Sequence, residues 1–212
     1  MKLGNIMIFG DSYSTYEGHI PEGYAAYYSG HRDEEPDLSD VKYTWWHKLV
    51  TKTGATLVQN NSWSGSTICY TGYNGIDCSR TSSFIYRFEK LLNGGFFDEN
   101  SIDTLLVFGG TNDSWCGAPL GEEKGGLSEE GELYCALPAI AHFATRLKME
   151  LTDTRVVFIV NTELRDEVSS ALKNAALRNS LDYVELRDIE KVNGHPTERG
   201  MEQIFEQVLA AL

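Results

Sequence analysis

Short apolar runs alternate with amphipathic helical stretches along the whole chain, and this alternation constrains the fold more than any other feature. Five segments read as strands: Asn5–Phe9, Ala55–Gln59, Thr104–Phe108, Arg155–Val160 and Asp182–Leu186. The first, third and fourth are almost continuously apolar, as strands covered on both faces are. Helical spacing runs over Thr44–Thr53, Thr81–Leu92, Glu167–Asn179 and Glu198–Leu212. Leu133, Leu137, Ile140, Ala144, Leu147 and Leu151 recur at steps of four and three, which predicts a further helix before the fourth strand. Pro138 then falls in its first turn, where a missing N–H costs little. Strand and helix alternating in this way imply a parallel sheet with helices on both faces. The expectation is an α/β chain, a single-domain α/β/α sandwich with a five-stranded parallel sheet, spanning residues 1–212.

Charge and size exclude several functions. The chain's 212 residues suffice to bury a core without a disulfide or metal. A net charge of −13 and a pI near 4.8 oppose binding to phosphate backbones and anionic membranes, so no nucleic-acid partner is expected. The longest run of Val, Ile, Leu and Phe alone is Val156 to Val160, too short for a membrane span. Residues 1–9 lack the length and cleavage site of a secretory signal, which predicts a cytoplasmic location. Cys69, Cys78, Cys116 and Cys135 show no C-x-x-C or zinc-ligand spacing. Four reduced thiols are expected, with a Cys69–Cys78 disulfide as the alternative. Oligomeric state leaves no signature.

Ligands of open parallel sheets bind beyond the carboxyl ends of the strands. The segments that follow the strands are Gly10-Asp11-Ser12, then Asn60 to Thr67 with Gly65 inside it, then Gly109-Gly110-Thr111-Asn112-Asp113, and lastly Gly194-His195-Pro196-Thr197. Together they offer a serine, a glycine turn, an asparagine and a histidine. That set suits acyl transfer. A serine hydroxyl needs a base, which neutral histidine supplies near pH 7. The tetrahedral intermediate needs preset donors, available from the Ser12 and Gly65 N–H groups and the Asn112 amide.

On these residues the chain resembles the SGNH (GDSL-like) hydrolases. The family's nucleophile block is matched by Gly10-Asp11-Ser12, its glycine block by Gly65, its Gly-x-Asn-Asp block by Gly110 to Asp113, and its histidine block by His195-Pro196. The four blocks occur in order and nearly span the chain. The resemblance implies the flavodoxin-like SGNH-hydrolase fold. It also implies catalytic Ser12 and His195, with an oxyanion hole of Ser12, Gly65 and Asn112. Two positions depart from the pattern. Tyr13 stands where the family name expects Leu, and Val192 stands where the family carries Asp three residues before the histidine. His195 is therefore expected to be oriented by a main-chain carbonyl, with Asp188 and Glu190 as the alternative acids.

The expected function is a serine esterase or acylhydrolase acting on a small acyl ester, such as an O-acetylated carbohydrate, through an acyl-enzyme. Its partner is a small-molecule ester, and no metal or organic cofactor is implied. Two alternatives stay open. One is a degenerate ester- or carbohydrate-binding module, motivated by Val192. The other is an acyltransferase using the same residues. No glycine-rich phosphate loop follows any strand, which sets aside a nucleotide binder.

Tyr13, Trp63 and Trp115 are candidate pocket residues, while Trp45 and Trp46 read as core. Five of the eleven tyrosines fall in residues 13–28, suited equally to substrate contact and to loop packing. Residues 17–40 carry seven carboxylates against one arginine, a net charge of −6. That is a solvated face, or an entrance unfavourable to anions. Residues 114–131 read as a long loop or a lid.

Overall fold

The computed structural model describes residues 3–212. In chain order the elements are β1 (Asn5–Gly10), α1 (Trp45–Thr53), β2 (Thr56–Ser62), α2 (Phe84–Asn93), α3 (Phe96–Glu99) and β3 (Thr104–Phe108). They continue with α4 (Thr111–Trp115), α5 (Ala136–Glu150), β4 (Arg155–Val160), α6 (Asp166–Arg178) and β5 (Asp182–Glu185), then β6 (Lys191–Val192), β7 (His195–Pro196) and α7 (Glu198–Ala211). Strands β1 to β5 form one parallel sheet in the order β2-β1-β3-β4-β5, and β6 and β7 pair as a small antiparallel hairpin.

The apolar strand sequences are explained by two cores. Successive side chains of a strand point to opposite faces. Met7 and Phe9 of β1, with Leu105 and Val107 of β3, pack beneath α2, α5 and α6. Ile6 and Ile8, with Leu106 and Phe108, pack beneath α1 and α7. All five residues of β3 are buried, so that strand shows no polar alternation. Each such buried side chain contributes about 1.5–3 kcal/mol of transfer free energy. The expected core tryptophans are indeed there: Trp45 and Trp46 are buried, with indole N–H groups donating to Ser14 Oγ (3.3 Å) and Ser14 O (2.9 Å).

Local capping shifts several predicted boundaries. Thr44 Oγ1 accepts from the His47 N–H and Ser83 Oγ from the Tyr86 N–H, so α1 and α2 start after these caps rather than at Thr44 and Thr81. Leu133 joins the core from a turn that precedes α5, and Pro138 is the third residue of that helix. Strand β2 runs three residues beyond Gln59, through Asn60, Asn61 and Ser62. Their polarity reads as loop, yet the backbone pairs with β1 regardless of side chain. The buried amides are satisfied locally: Asn60 Nδ2 donates to Ser14 O at 2.8 Å, and Asn60 Oδ1 accepts from Ser62 Oγ at 2.6 Å. The two-residue strands of the hairpin and the five-residue α4 are too short to leave a periodic signal.

The four cysteines carry free thiols. No helix among the described residues is long and apolar enough to cross a membrane. Among the same residues no group of three or more His, Cys, Asp or Glu side chains is arranged to hold a metal ion.

Candidate active site

After β1 the chain builds β2 on one side, then crosses back to place β3 on the other. The crevice at the carboxyl ends of β1 and β3 is the topological switch point, where ligands of such sheets bind. Register brings the motif segments to one level, because Gly10 stands opposite both Ser62 and Phe108. Asp11-Ser12, Trp63 to Gly65 and Gly109 to Asn112 therefore leave the sheet side by side.

Ser12 opens a single tight turn. The Asp11 carboxylate caps it by accepting from the Tyr13 N–H at 3.0 Å. His195 arrives from the far end of the chain on the β6–β7 hairpin. Its Nε2 lies 3.0 Å from Ser12 Oγ, and its Nδ1 lies 3.3 Å from the Asn193 carbonyl oxygen. A carbonyl can only accept, so Nδ1 carries the hydrogen and the Nε2 lone pair faces the serine hydroxyl. Burial pushes the His195 pKa down to about 4, opposed by the Asn193 carbonyl and reinforced by the charges of Arg32 and Lys191. The imidazole is thus neutral around pH 7 and able to take a proton. Asp188 and Glu190 are exposed and do not contact His195; Glu190 Oε1 instead accepts from Thr197 Oγ1 at 2.5 Å.

Three donors on the loops that leave the sheet next to Ser12 have N–H groups without a partner among the described residues. The N–H groups of Ser12 and Gly65 donate to no acceptor among the described residues. Gly65 sits at φ +79°, a left-handed conformation that favours glycine, and a Cβ there would meet open space. Asn112 Nδ2 donates one hydrogen to Ser66 O at 2.9 Å, while its Oδ1 accepts from the Tyr73 hydroxyl at 2.9 Å. Held at both ends, the amide has its second N–H without a partner among the described residues. Gly110 launches α4 at φ +89°, where a Cβ would come within 2.8 Å of Leu172 Cδ1.

Two buried charges brace these loops. Asp113 accepts from the N–H groups of Ile68 (2.8 Å) and Cys69 (2.9 Å), tying the Gly65 loop to α4. Burial raises its pKa. Arg87, fully buried on α2, donates to Gly10 O (3.2 Å), Asn61 O (2.5 Å), Asn61 Oδ1 (2.9 Å), Ser66 Oγ (3.2 Å) and Ser82 O (2.9 Å). Its guanidinium also lies 4.6 Å from the Phe9 ring centroid and 4.5 Å from that of Phe84. Sequence reasoning missed Arg87, although a signal existed: it shares the apolar stripe of Phe84, Phe88 and Leu91. Asp11 Oδ2 is a buried oxygen without a hydrogen-bond partner, and burial lifts the Asp11 pKa to about 7.

Aromatic rings surround His195. Tyr27 stacks on it at 3.6 Å with ring planes 7° apart, Trp115 presents its edge at 5.8 Å, and Tyr13 lies at 5.5 Å. Tyr13, expected to line the pocket, is fully buried and donates its hydroxyl to Gly194 O at 2.5 Å. It therefore supports the histidine turn instead of facing substrate. Trp63 stacks with Tyr24 at 4.2 Å. A cleft of about 620 Å³ lies within the 17–32 segment, with Tyr24, Tyr27, Arg32, Glu17 and Glu22 on its walls. Neither Ser12 nor His195 lines it, and Tyr27, which stacks on His195, is the residue it shares with the site.

A protein-family model described as GDSL-like lipase/acylhydrolase matches residues 4–212. Proteins described as GDSL-like lipases from Bacteroides ovatus ATCC 8483 and Bacteroides uniformis ATCC 8492 are each 37% identical to this chain, with TM-scores of 0.90. The matches cover 99% of this chain and 98% and 95% of theirs, respectively. A family two carbohydrate esterase from Clostridium thermocellum, solved with cellohexaose, shares the fold at 15% identity and a TM-score of 0.63, over 99% of this chain and 64% of that one. No curated protein matches the chain.

Proposed function

The chain belongs to the GDSL-like lipase/acylhydrolase family, and from that premise we propose that Ser12 is its nucleophile and His195 its general base, acting on a small acyl ester. The observation that carries this reading is the 3.0 Å contact between His195 Nε2 and Ser12 Oγ, with Nδ1 bound to a main-chain carbonyl.

In the acylation step Ser12 Oγ attacks the ester carbonyl as His195 Nε2 takes its proton. Charge moves to the carbonyl oxygen, which the N–H groups of Ser12 and Gly65 and the free N–H of Asn112 receive. His195 returns the proton to the departing alcohol. Water then enters, His195 takes its proton, and a second tetrahedral intermediate collapses to acid and free Ser12. No step uses a metal or organic group.

The alcohol half of the substrate is proposed to be polar, as in an O-acetylated carbohydrate. The cleft on the 17–32 segment, which meets the site at Tyr27, offers aromatic faces and carboxylates in place of an aliphatic channel. Carboxylates at Glu17 and Glu22 disfavour an anionic leaving group there.

The test compares hydrolysis of p-nitrophenyl acetate, p-nitrophenyl butyrate and O-acetylated oligosaccharides by the wild type, Ser12→Ala and His195→Ala. Turnover by the wild type, lost in both variants, is the expected result. Equal turnover by wild type and Ser12→Ala would remove Ser12 from the mechanism.

A further inference from the structure

We propose that Tyr27, backed by Arg32, is a positioning residue that sets the ring plane of His195, a task performed elsewhere by a carboxylate. The kinetic consequence rests on the esterase reading above; the structural one rests on geometry alone.

A single 3.3 Å bond from Nδ1 to the Asn193 carbonyl is a weak restraint on the imidazole. The backbone on either side is held separately. The Tyr13 hydroxyl donates to Gly194 O and the Tyr28 hydroxyl to Pro196 O, at 2.5 and 2.8 Å, bracketing His195 in sequence. What remains to be fixed is rotation of the ring itself. Tyr27 lies flat against it, with centroids 3.6 Å apart and planes 7° apart, so rotation would drive the imidazole into the Tyr27 face.

Tyr27 is itself clamped. Arg32 Cζ lies 4.0 Å from the Tyr27 ring centroid. Two planar groups this close to one centroid cannot share a face, so Tyr27 sits between Arg32 and His195. Arg32 Nη1 donates to Tyr27 O at 3.0 Å, and Arg32 is held in turn by Asp37, through its own N–H at 2.9 Å, and by Glu34 at 3.2 Å. On the other side, the Tyr27 N–H donates to Thr15 Oγ1 at 2.8 Å, and that hydroxyl donates to the Ser12 carbonyl at 3.0 Å. One threonine hydroxyl thus links the stacking residue to the nucleophile's own peptide. The tyrosine-rich segment is thereby explained in part: its rings and hydroxyls place a histidine that lacks the usual acid at Val192.

The experiment uses the full chain with Tyr27→Leu and Tyr27→Phe. Tyr27 is half-buried, and leucine keeps its apolar bulk without a flat ring. Two readouts are taken: kcat and KM for p-nitrophenyl acetate, and the 15N spectrum of the His195 imidazole. Tyr27→Leu is expected to lower kcat by about 10²-fold, the scale of a misplaced catalytic group, with KM little changed. Its His195 spectrum is expected to lose the pattern of one protonated Nδ1 and one unprotonated Nε2. Tyr27→Phe is expected to restore both readouts, because the ring and not the hydroxyl does the positioning. The proposal is overturned by wild-type kcat in Tyr27→Leu, by a loss in Tyr27→Phe as large as in Tyr27→Leu, or by an unchanged imidazole spectrum. If the wild type hydrolyses no ester, the esterase reading fails on its own, and the imidazole spectrum alone decides the role of Tyr27.

Discussion

His195 Nδ1 pairs with the carbonyl oxygen of Asn193, two residues earlier on the same hairpin, at 3.3 Å. The hydrogen-bond partner of Nδ1 is therefore a main-chain carbonyl of its own turn and not an acidic side chain. Asp188→Ala and Glu190→Ala are each expected to leave most esterase activity intact. Steady-state kinetics on p-nitrophenyl acetate check this. A loss in either variant comparable to that in His195→Ala contradicts it.

The depressed His195 pKa has a kinetic signature. A base must be neutral to accept the serine proton, so the acid limb of kcat/KM follows its pKa in the free enzyme. Burial lowers that value to about 4, against an ordinary 6.5. Activity is expected to persist at pH 5 and to fall as pH drops through about 4. A pH–rate profile with its acid limb near the ordinary histidine value would show the imidazole to be more solvated than this.

Arg87 combines stability with site geometry. Its guanidinium satisfies the main-chain carbonyls of Gly10, Asn61 and Ser82, the first two at the ends of β1 and β2. Arg87→Met keeps much of the apolar stem but removes the donor from Asn61 O and Ser82 O, whereas Gly10 O still accepts from the Trp63 N–H. Each acceptor left buried without a partner costs about 1–3 kcal/mol. A loss of at least about 2 kcal/mol in urea unfolding is expected on that basis. Wild-type stability in Arg87→Met contradicts the bracing role.

Asp11 makes stability depend on pH. Its folded pKa is raised to about 7, from an ordinary 3.8, chiefly by burial. Between these two values the folded state holds a proton that the unfolded chain has released. Its contribution is therefore fully present at low pH and is lost as pH rises through about 7. Asp11→Asn removes this term. The stability of the variant relative to the wild type is expected to rise between pH 5 and pH 8, by at most about 1.4 kcal/mol per pH unit. Denaturant unfolding at the two pH values measures it; a constant difference contradicts the assignment.

Much of the fold was legible because the apolar runs of β1, β3 and β4 and the stripe on α5 are strong local signals. The site blocks were legible because each follows a strand, where sheet topology collects them. Other features depend on tertiary paths. The stacking of Tyr27 on His195 joins an irregular loop to a hairpin 168 positions later, as the Tyr28–Pro196 bond also does. No periodicity encodes such a contact. In sequence β2 reads as ending at Gln59, because Asn60, Asn61 and Ser62 look like loop residues; in the fold Asn60 bonds Ser14 O, Asn61 accepts from Arg87 and Ser62 bonds Asn60. The placement of Tyr13 misled for a similar reason: it follows the nucleophile in sequence, but its ring turns inward and its hydroxyl meets Gly194.

The central claim is that Ser12 is a nucleophile activated by His195. It is tested most directly by intact-mass spectrometry after exposure to a fluorophosphonate, followed by peptide mapping. One adduct is expected on the wild type, carried by the peptide that contains Ser12. Ser12→Ala should form none, and His195→Ala should label far more slowly. An unlabelled wild type, or an adduct that persists in Ser12→Ala, would contradict it.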